Sequence, residues 1–279
     1  MSDIPYLLIG HMTADITPQG RVAGGTVSYA LPVARHFGYE PALVTATRRD
    51  EPLLETLDCQ QYVVIPSEQT TTFENIYEGA NRTQYLHGVA TPIRPNDIPT
   101  AFQSARYVHL APIADEIDPE IAFMFPDATI LVTPQGWMRR WDDTGRVSFK
   151  RFDNEAVLRA VDIVVMSRQD IIEAPVLEQV YAGFVKHLFV TDGANGGVYY
   201  HNGTPQPYAA FPAQEIDPTG AGDVFATALL ASLSHTGDDI SKALRVAARL
   251  AAHSVTRSGI KNTVQPDEVK AALAEANSF

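Results

Sequence analysis

The stretch Glu215–Leu230, "EIDPTGAGDVFATALL", sets Asp-Pro-Thr-Gly-Ala-Gly-Asp directly ahead of apolar residues at helical spacing. Helix formation alone asks for nothing of the kind. Glycine loses more backbone freedom on folding than other residues, so it belongs where the chain bends unusually or something approaches closely. The spacing predicts a helix over 221–234, opened by Gly220, Ala221 and Gly222. Small residues there leave the first N–H groups uncovered, and the helix dipole adds partial positive charge. That is an anion site made of backbone, suited to phosphate. Asp223, in the first turn, would stand beside the anion, which is unfavourable for a carboxylate without a purpose. One purpose fits: accepting the proton of a hydroxyl that attacks phosphorus, while the N–H groups hold the transferring phosphoryl group. A plainer reading has Asp217 as N-cap, Pro218 opening the helix and Asp223 complementing the dipole. It suffices for a bare Asp-x-Thr-Gly, whereas the full seven-residue run is more specific. No Gly-x-x-x-x-Gly-Lys-[Ser/Thr] loop occurs in the chain, and a dinucleotide fingerprint would need a third glycine.

The rest of the chain limits what that corner can serve. Its 279 residues suit one large α/β domain. A formal charge of −12 argues against nucleic acid or an anionic membrane as partner. Positive potential for a polyanion must then be local: backbone N–H groups, a metal, a few Arg or Lys. The longest apolar runs, "YLLIG" and "TILVT", are far too short for a bilayer. "MSDIPYLLIG" has no basic segment leading into an apolar one, so no secretory signal is expected. The single cysteine, Cys59, excludes an intrachain disulfide, and a reducing cytoplasm is the simplest compartment.

"YLLIG" (6–10) and "PALVTA" (41–46) read as short buried strands around a helix in "GGTVSYALPVARHFG", which opens at Gly24-Gly25 and stops at Gly38. From Thr70 the texture changes: "TTTFENIYEGANRTQYLHGV" reads as a β-hairpin about "GAN". Strands then recur at "RYVHLAP", "TILVTP", "DIVVMS", "HLFVTDG" and "GGVYYH", and the final third reads as three helices. The expected fold is α/β: a doubly wound, mostly parallel sheet with helices on both faces, one domain over 1–279. A small β-flap, or lid, would come from about 11–24 and 70–90. Ligands of such sheets bind beyond the carboxyl ends of the strands, where His11–Asp15, Gln135, Ser167–Asp170 and Thr191–Gly193 fall.

"DPTGAGDVFATALL" closely resembles the C-terminal signature of the ribokinase-like, or PfkB, carbohydrate kinases. Asp15 followed by Gly24-Gly25 resembles that family's substrate aspartate and Gly-Gly hinge. "HLFVTDGANGGVYY" resembles its nucleotide strand and loop, and "AAHSVTRSGIKNT" the helix and loop bordering adenine and a monovalent cation. The resemblance implies an ATP- and Mg²⁺-dependent kinase acting on a small sugar or cyclitol. Asp223 would be the base, with Gly220, Ala221 and Gly222 as anion hole. Asp15, Gly24, Gly25, Tyr29, Gln135 and Arg139 would face substrate, and Thr191, Gly193, Gly196 and His253 the nucleotide. Asp170, in Ser167-Arg-Gln-Asp170, and Glu116 would help hold Mg²⁺ through water, while Asp217 and the Gly259 loop are implied for K⁺. Tyr29 stands where sugar kinases often carry Asn, which disfavours ribose. "VTPQGWMRRWDDTGRV" is similar, more loosely, to the myo-inositol kinase branch. A nucleoside kinase and a catalytically silent sugar-binding regulator are the alternatives, and the flap is an expected homodimer surface.

Several of these residues also have plain readings. Gln135 and Arg139 fit an ordinary loop, Glu116 a solvated helix start, and His11 a hydrogen-bonded strand end. His253 fits a half-buried helix, Arg82 and Tyr85 a solubilising hairpin, and Tyr29 and Tyr77 the core.

Overall fold

The computed structural model describes residues 5–78, 81–260 and 264–278, and the side chains of all but 77, 78, 81 and 82 among them. Arg82 and Tyr77 therefore lie outside the described side chains. The first half of the chain forms β1 (Tyr6–Ile9), β2 (Thr13–Thr17), β3 (Gly20–Gly24), α1 (Thr26–His36), β4 (Ala42–Arg48) and β5 (Gln61–Ser67). It continues through β6 (Thr72–Glu78), β7 (Asn81–Gly88), β8 (Tyr107–Leu110) and β9 (Thr129–Val132). Then come β10 (Arg139–Trp141), β11 (Val147–Phe149), α2 (Glu155–Ala160), β12 (Ile163–Ser167), α3 (Leu177–Phe184) and β13 (His187–Thr191). The last third holds β14 (Gly197–His201), β15 (Thr204–Tyr208), α4 (Ala221–Ser232), α5 (Ile240–Ser254) and α6 (Pro266–Asn277).

Nine strands make the central sheet, in the order β15-β14-β13-β12-β9-β8-β1-β4-β5. Pairing from β13 to β5 is parallel, and β14 and β15 add an antiparallel edge. The interior strands read as unbroken apolar runs because both faces are covered. Alternation still divides them. Tyr6 and Leu8 point into a core with α1, α4, α5 and α6, while Leu7 and Ile9 point into the opposite core with α2 and α3. The mixed α/β architecture is as the sequence implies.

A second sheet, β3-β2-β6-β7, stands off the main one. β2 pairs with β6 in parallel across the whole intervening α1–β5 unit. Phe73 and Leu86 anchor its base on Ile113 and Ala114. Two features escaped the sequence reading. β15 extends the edge through "TPQPY", whose two prolines hide a strand pattern. A hairpin, β10–β11, occupies "RRWDDTGRVSF", where polar residues outnumber apolar ones. It joins the flap: the Leu86 N–H donates to the Gly145 carbonyl at 2.8 Å, and Tyr85 bridges to Arg146.

Candidate active site

α4 begins at Gly220, which adopts φ 80°, ψ 0° as its N-cap. Left-handed backbone of this kind strains any side chain. Space forbids one too, since a Cβ here would sit 2.3 Å from the Tyr29 ring. The Tyr29 ring, expected to face substrate, thus packs against the turn itself. The Ala221 N–H donates to Pro218 and that of Val224 to Gly220. The N–H groups of Gly222 and Asp223 have no acceptor within the helix. Gly222 is exposed, with open space where its Cβ would be.

Asp223 sits where two helix N-termini meet. Thr26, the buried first residue of α1, hydrogen-bonds its carboxyl, and Arg139, Asp170 and Asp15 lie within electrostatic reach. Burial is the main reason its pKa rises to about 6, with Asp170 and Asp15 adding to the rise. Thr26 and Arg139 oppose it. Asp15 is likewise pushed up by burial, against a hydrogen bond donated by Thr13 Oγ1 at 2.8 Å and the pull of Arg139. Gly24 leaves room for that carboxylate: a Cβ there would lie 2.3 Å from Asp15 Oδ2. Gly25 caps α1.

Arg139 is the cation common to both aspartates. It follows a short 3-10 turn (Pro134–Met138), donates to the Ile113 carbonyl at 2.8 Å, and lies 5.4 Å from the Phe73 ring centre. Gln135, from the same turn, donates to Asp170 Oδ1 at 2.8 Å, and the Ser167 N–H donates to Oδ2 at 2.8 Å. A cavity of about 300 Å³ opens beside them, lined by Gln135, Arg139 and Asp170 together with Gln84 from β7 and Arg146 and Ser148 from the β10–β11 hairpin. Arg139, Asp15, Asp170 and Asp223 are thus brought together as the sequence placed them. Thr26, Thr13, Gln84 and Ser148 were missed. Thr26 carried a signal, a hydroxyl at the start of the helix opened by Gly-Gly. Gln84 and Ser148 carried none, because their strands meet only in the fold.

Glu116 stands apart from this group, and the structure corrects its expected role. It is 1% exposed and accepts three backbone N–H groups: His11 (3.1 Å), Ile113 (2.9 Å) and Ala114 (2.7 Å). It is a buried carboxylate held by backbone N–H groups, not the solvated helix start. His11 is a buried strand-end histidine, held by Thr71 (2.7 Å) and the Thr91 carbonyl (3.0 Å), and burial lowers its pKa. Among the described residues no cluster of three His, Cys, Asp or Glu side chains could hold a metal ion, and no helix is long and apolar enough to cross a membrane.

The expected nucleotide side is built differently. Thr191 ends β13, and Gly193 and Gly196 bound a 3-10 turn between β13 and β14. His253 lies in the last turn of α5, 3.3 Å from Glu268, which also pairs with Arg257 at 2.7 Å. The N–H groups of Ile216 and Asp217 both donate to the Val255 carbonyl, which sets Asp217 beside the end of α5 from which the Gly259 loop departs. Asp217 Oδ1 accepts the Thr219 N–H at 2.9 Å. Lys261–Thr263 fall outside the described residues.

Known proteins resemble this chain in sequence and in fold. A family model described as pfkB family carbohydrate kinase matches residues 154–267. Inositol 3-kinase of Zea mays is 26% identical over 219 residues, which cover 78% of this chain and 56% of that protein. The match thus spans little more than half the length of that relative. Cytidine kinase of Thermococcus kodakarensis is 25% identical, with 83% of this chain and 89% of the relative covered. A solved pyrophosphate-dependent kinase in the ribokinase family superposes with a TM-score of 0.79 at 20% identity, covering 95% of this chain and 99% of that one. At such identity the structural likeness speaks for the fold alone, while the matched family segment contains the whole Gly220–Asp223 corner. Residues 154–267 thus match the pfkB family of carbohydrate kinases, and the chain as a whole shares the fold of ribokinase-family structures.

Proposed function

We propose that this chain transfers the terminal phosphoryl group of ATP to a hydroxyl of a small polyhydroxylated molecule, with Asp223 as general base. The observation that carries this reading is the meeting, at one helix N-terminus, of backbone N–H groups with a carboxyl whose pKa is raised to about 6. A base with that pKa is ionised at neutral pH yet close enough to it to accept a proton readily. Asp15 would orient the acceptor hydroxyl, and Arg139 would hold both carboxylates in their charged forms. The N–H groups of Gly222 and Asp223 would receive the phosphoryl oxygens. The flap and hairpin would exclude water, which otherwise competes as acceptor.

Mg²⁺ bound with phosphates needs only one or two protein carboxylates, and Asp170 is the one suitably placed in this corner. Each of its oxygens accepts one hydrogen bond and keeps a further lone pair. When bound, the ion would offset phosphate charge. Asp217 and the Gly259 loop would serve K⁺, and His253 with the Thr191–Gly196 turn would border the nucleotide.

Charge favours a neutral acceptor. Arg139 and Arg146 are outweighed by Asp15, Asp170, Glu173 and Asp223 in and beside the cavity, so a sugar acid would meet net repulsion. Of neutral acceptors, a cyclitol such as myo-inositol is favoured over ribose, with Tyr29 where an amide would serve ribose. The test is release of the donor product over a panel of myo-inositol, ribose, a sugar acid and cytidine, each with ATP or pyrophosphate. Turnover of a neutral polyol with ATP supports the reading. Cytidine as the best acceptor would make the chain a nucleoside kinase. Ligand-dependent melting without any turnover would make it a silent binder.

A further inference from the structure

Glu116 is the most completely buried carboxylate outside the Asp223 corner, and the base-and-acceptor chemistry proposed above gives it no task. Its surroundings supply one. Both oxygens are occupied by the backbone of two segments, the end of β1 through His11 and the 113–114 turn through Ile113 and Ala114. The same Ile113 that donates its N–H to Glu116 offers its carbonyl to Arg139 Nη1 at 2.8 Å. The turn is also clamped against the segment that carries Arg139. The Gly136 N–H donates to the Pro112 carbonyl at 2.9 Å, and the Asp115 N–H donates back to the Gly136 carbonyl at 3.1 Å. The approach is so close that a Cβ on Gly136 would lie 2.2 Å from the Ile113 nitrogen. Asp115 holds a left-handed φ of 56° in this turn and pairs with Lys150 beyond the hairpin at 2.5 Å.

We propose that Glu116 is a positioning residue: through the Ile113 peptide it fixes the Arg139 guanidinium between Asp15 and Asp223. This rests on the reading of Asp223 as the base. The N–H of Ile113 needs an anionic acceptor to hold the turn, and only with the turn held does its carbonyl point at Arg139. A carboxylate suits this task better than an amide, because it accepts from three N–H donors and presents no competing N–H of its own.

The test needs no acceptor or donor. Aspartate is labelled with ¹³C at the carboxyl, the Asp223 resonance is assigned by its loss in Asp223→Asn, and its titration is followed in the whole protein. The charged groups facing Asp223 are Arg139, Asp170 and Asp15, and Thr26 hydrogen-bonds it. Arg139 favours the ionised form, so Arg139→Met should raise the midpoint by about half a unit or more. Glu116→Gln should raise it in the same direction, and should add nothing in the Arg139→Met background. The sign is diagnostic, because simple removal of a negative charge would lower the midpoint instead. Glu116→Asp keeps the charge but cannot reach all three N–H groups, and should give a smaller rise; it also serves if the Gln variant does not fold. An unmoved or lowered midpoint in a folded Glu116 variant, additive shifts in the double variant, or no shift in Arg139→Met would each overturn the proposal. Turnover retained by Asp223→Asn would instead remove the base reading and leave the coupling between Glu116 and Arg139 standing.

Discussion

The two sides of the cleft are made of different materials. On the proposed acceptor side, Asp15, Asp170, Asp223 and Arg139 are partly or wholly withdrawn from water, and each is held by a hydrogen bond, the carboxylates as acceptors and Arg139 as donor to the Ile113 carbonyl. On the proposed donor side, the recognisable parts are glycine turns at Gly193, Gly196 and Gly259 and partly exposed ion pairs, such as Arg257–Glu268. Charge held in a low-dielectric setting acts strongly on its neighbours, and charge in water does not. The contrast fits the proposed division, chemistry in the first region and grip in the second.

The largest effect expected from this division is at Asp223. Asp223→Asn should lower turnover by about 10² to 10⁴, the usual worth of a general base, while the chain still folds. Turnover and melting temperature measured on the same sample decide it, and near-wild-type turnover would dissolve the contrast. The same residue gives a pH signature. Its folded pKa of about 6 lies above the ordinary 3.8, so the folded state holds the extra proton between those values and stability falls as pH rises through that window. Asp223→Asn should therefore melt higher than wild type above pH 7, by on the order of 1–2 kcal/mol, and lose the advantage near pH 4. In the wild-type enzyme, kcat/KM should drop below about pH 6, where the base is protonated.

Gly222 sharpens the comparison from the backbone side. Its site is open, so Gly222→Val should change stability by no more than about 0.5 kcal/mol. A branched side chain on the expected path of the phosphoryl oxygens should nonetheless reduce kcat/KM at least ~10-fold. Unchanged kinetics at saturating acceptor would refute the anion-site role. The smallest effect belongs to the donor side: His253→Ala removes one partly exposed pair, for which about 0–1 kcal/mol of stability and less than ~5-fold in KM for ATP are expected. A loss as large as that of Asp223→Asn would mean that the two sides share the chemistry.

Legibility in the sequence followed the same line. The Gly220–Asp223 helix start was readable because a left-handed N-cap glycine and a first-turn carboxylate impose their demands on neighbouring residues, within one turn. The parallel sheet was readable because interior strands such as "YLLIG" and "DIVVMS" cannot alternate with water on either face. Glu116 was misread because its partners, the N–H groups of His11, Ile113 and Ala114, are backbone and leave no trace in residue type. Tyr29 was read as facing substrate, whereas its ring lies so close to Gly220 that a Cβ there would be 2.3 Å from it. The β10–β11 hairpin was missed because its pairing with the flap joins residues some 59 positions apart, Leu86 and Gly145.

That long-range seam governs the order in which the molecule is assembled. β6 pairs locally with β7, but its other edge is unpaired until β2, separated from it by α1, β4 and β5, is brought back alongside. β7 is completed only when Gly145 arrives, after β8 and β9 have been made. Closing such loops costs chain entropy before any contact repays it, so sequence-distant pairings form late. On a ribosome, the flap would hang unfinished while the first five parallel strands of the central sheet compete to align, with its apolar residues Phe73 and Leu86 still bare. The part of the protein proposed to shut out water from the cleft is thus the part most exposed to wrong partners during synthesis.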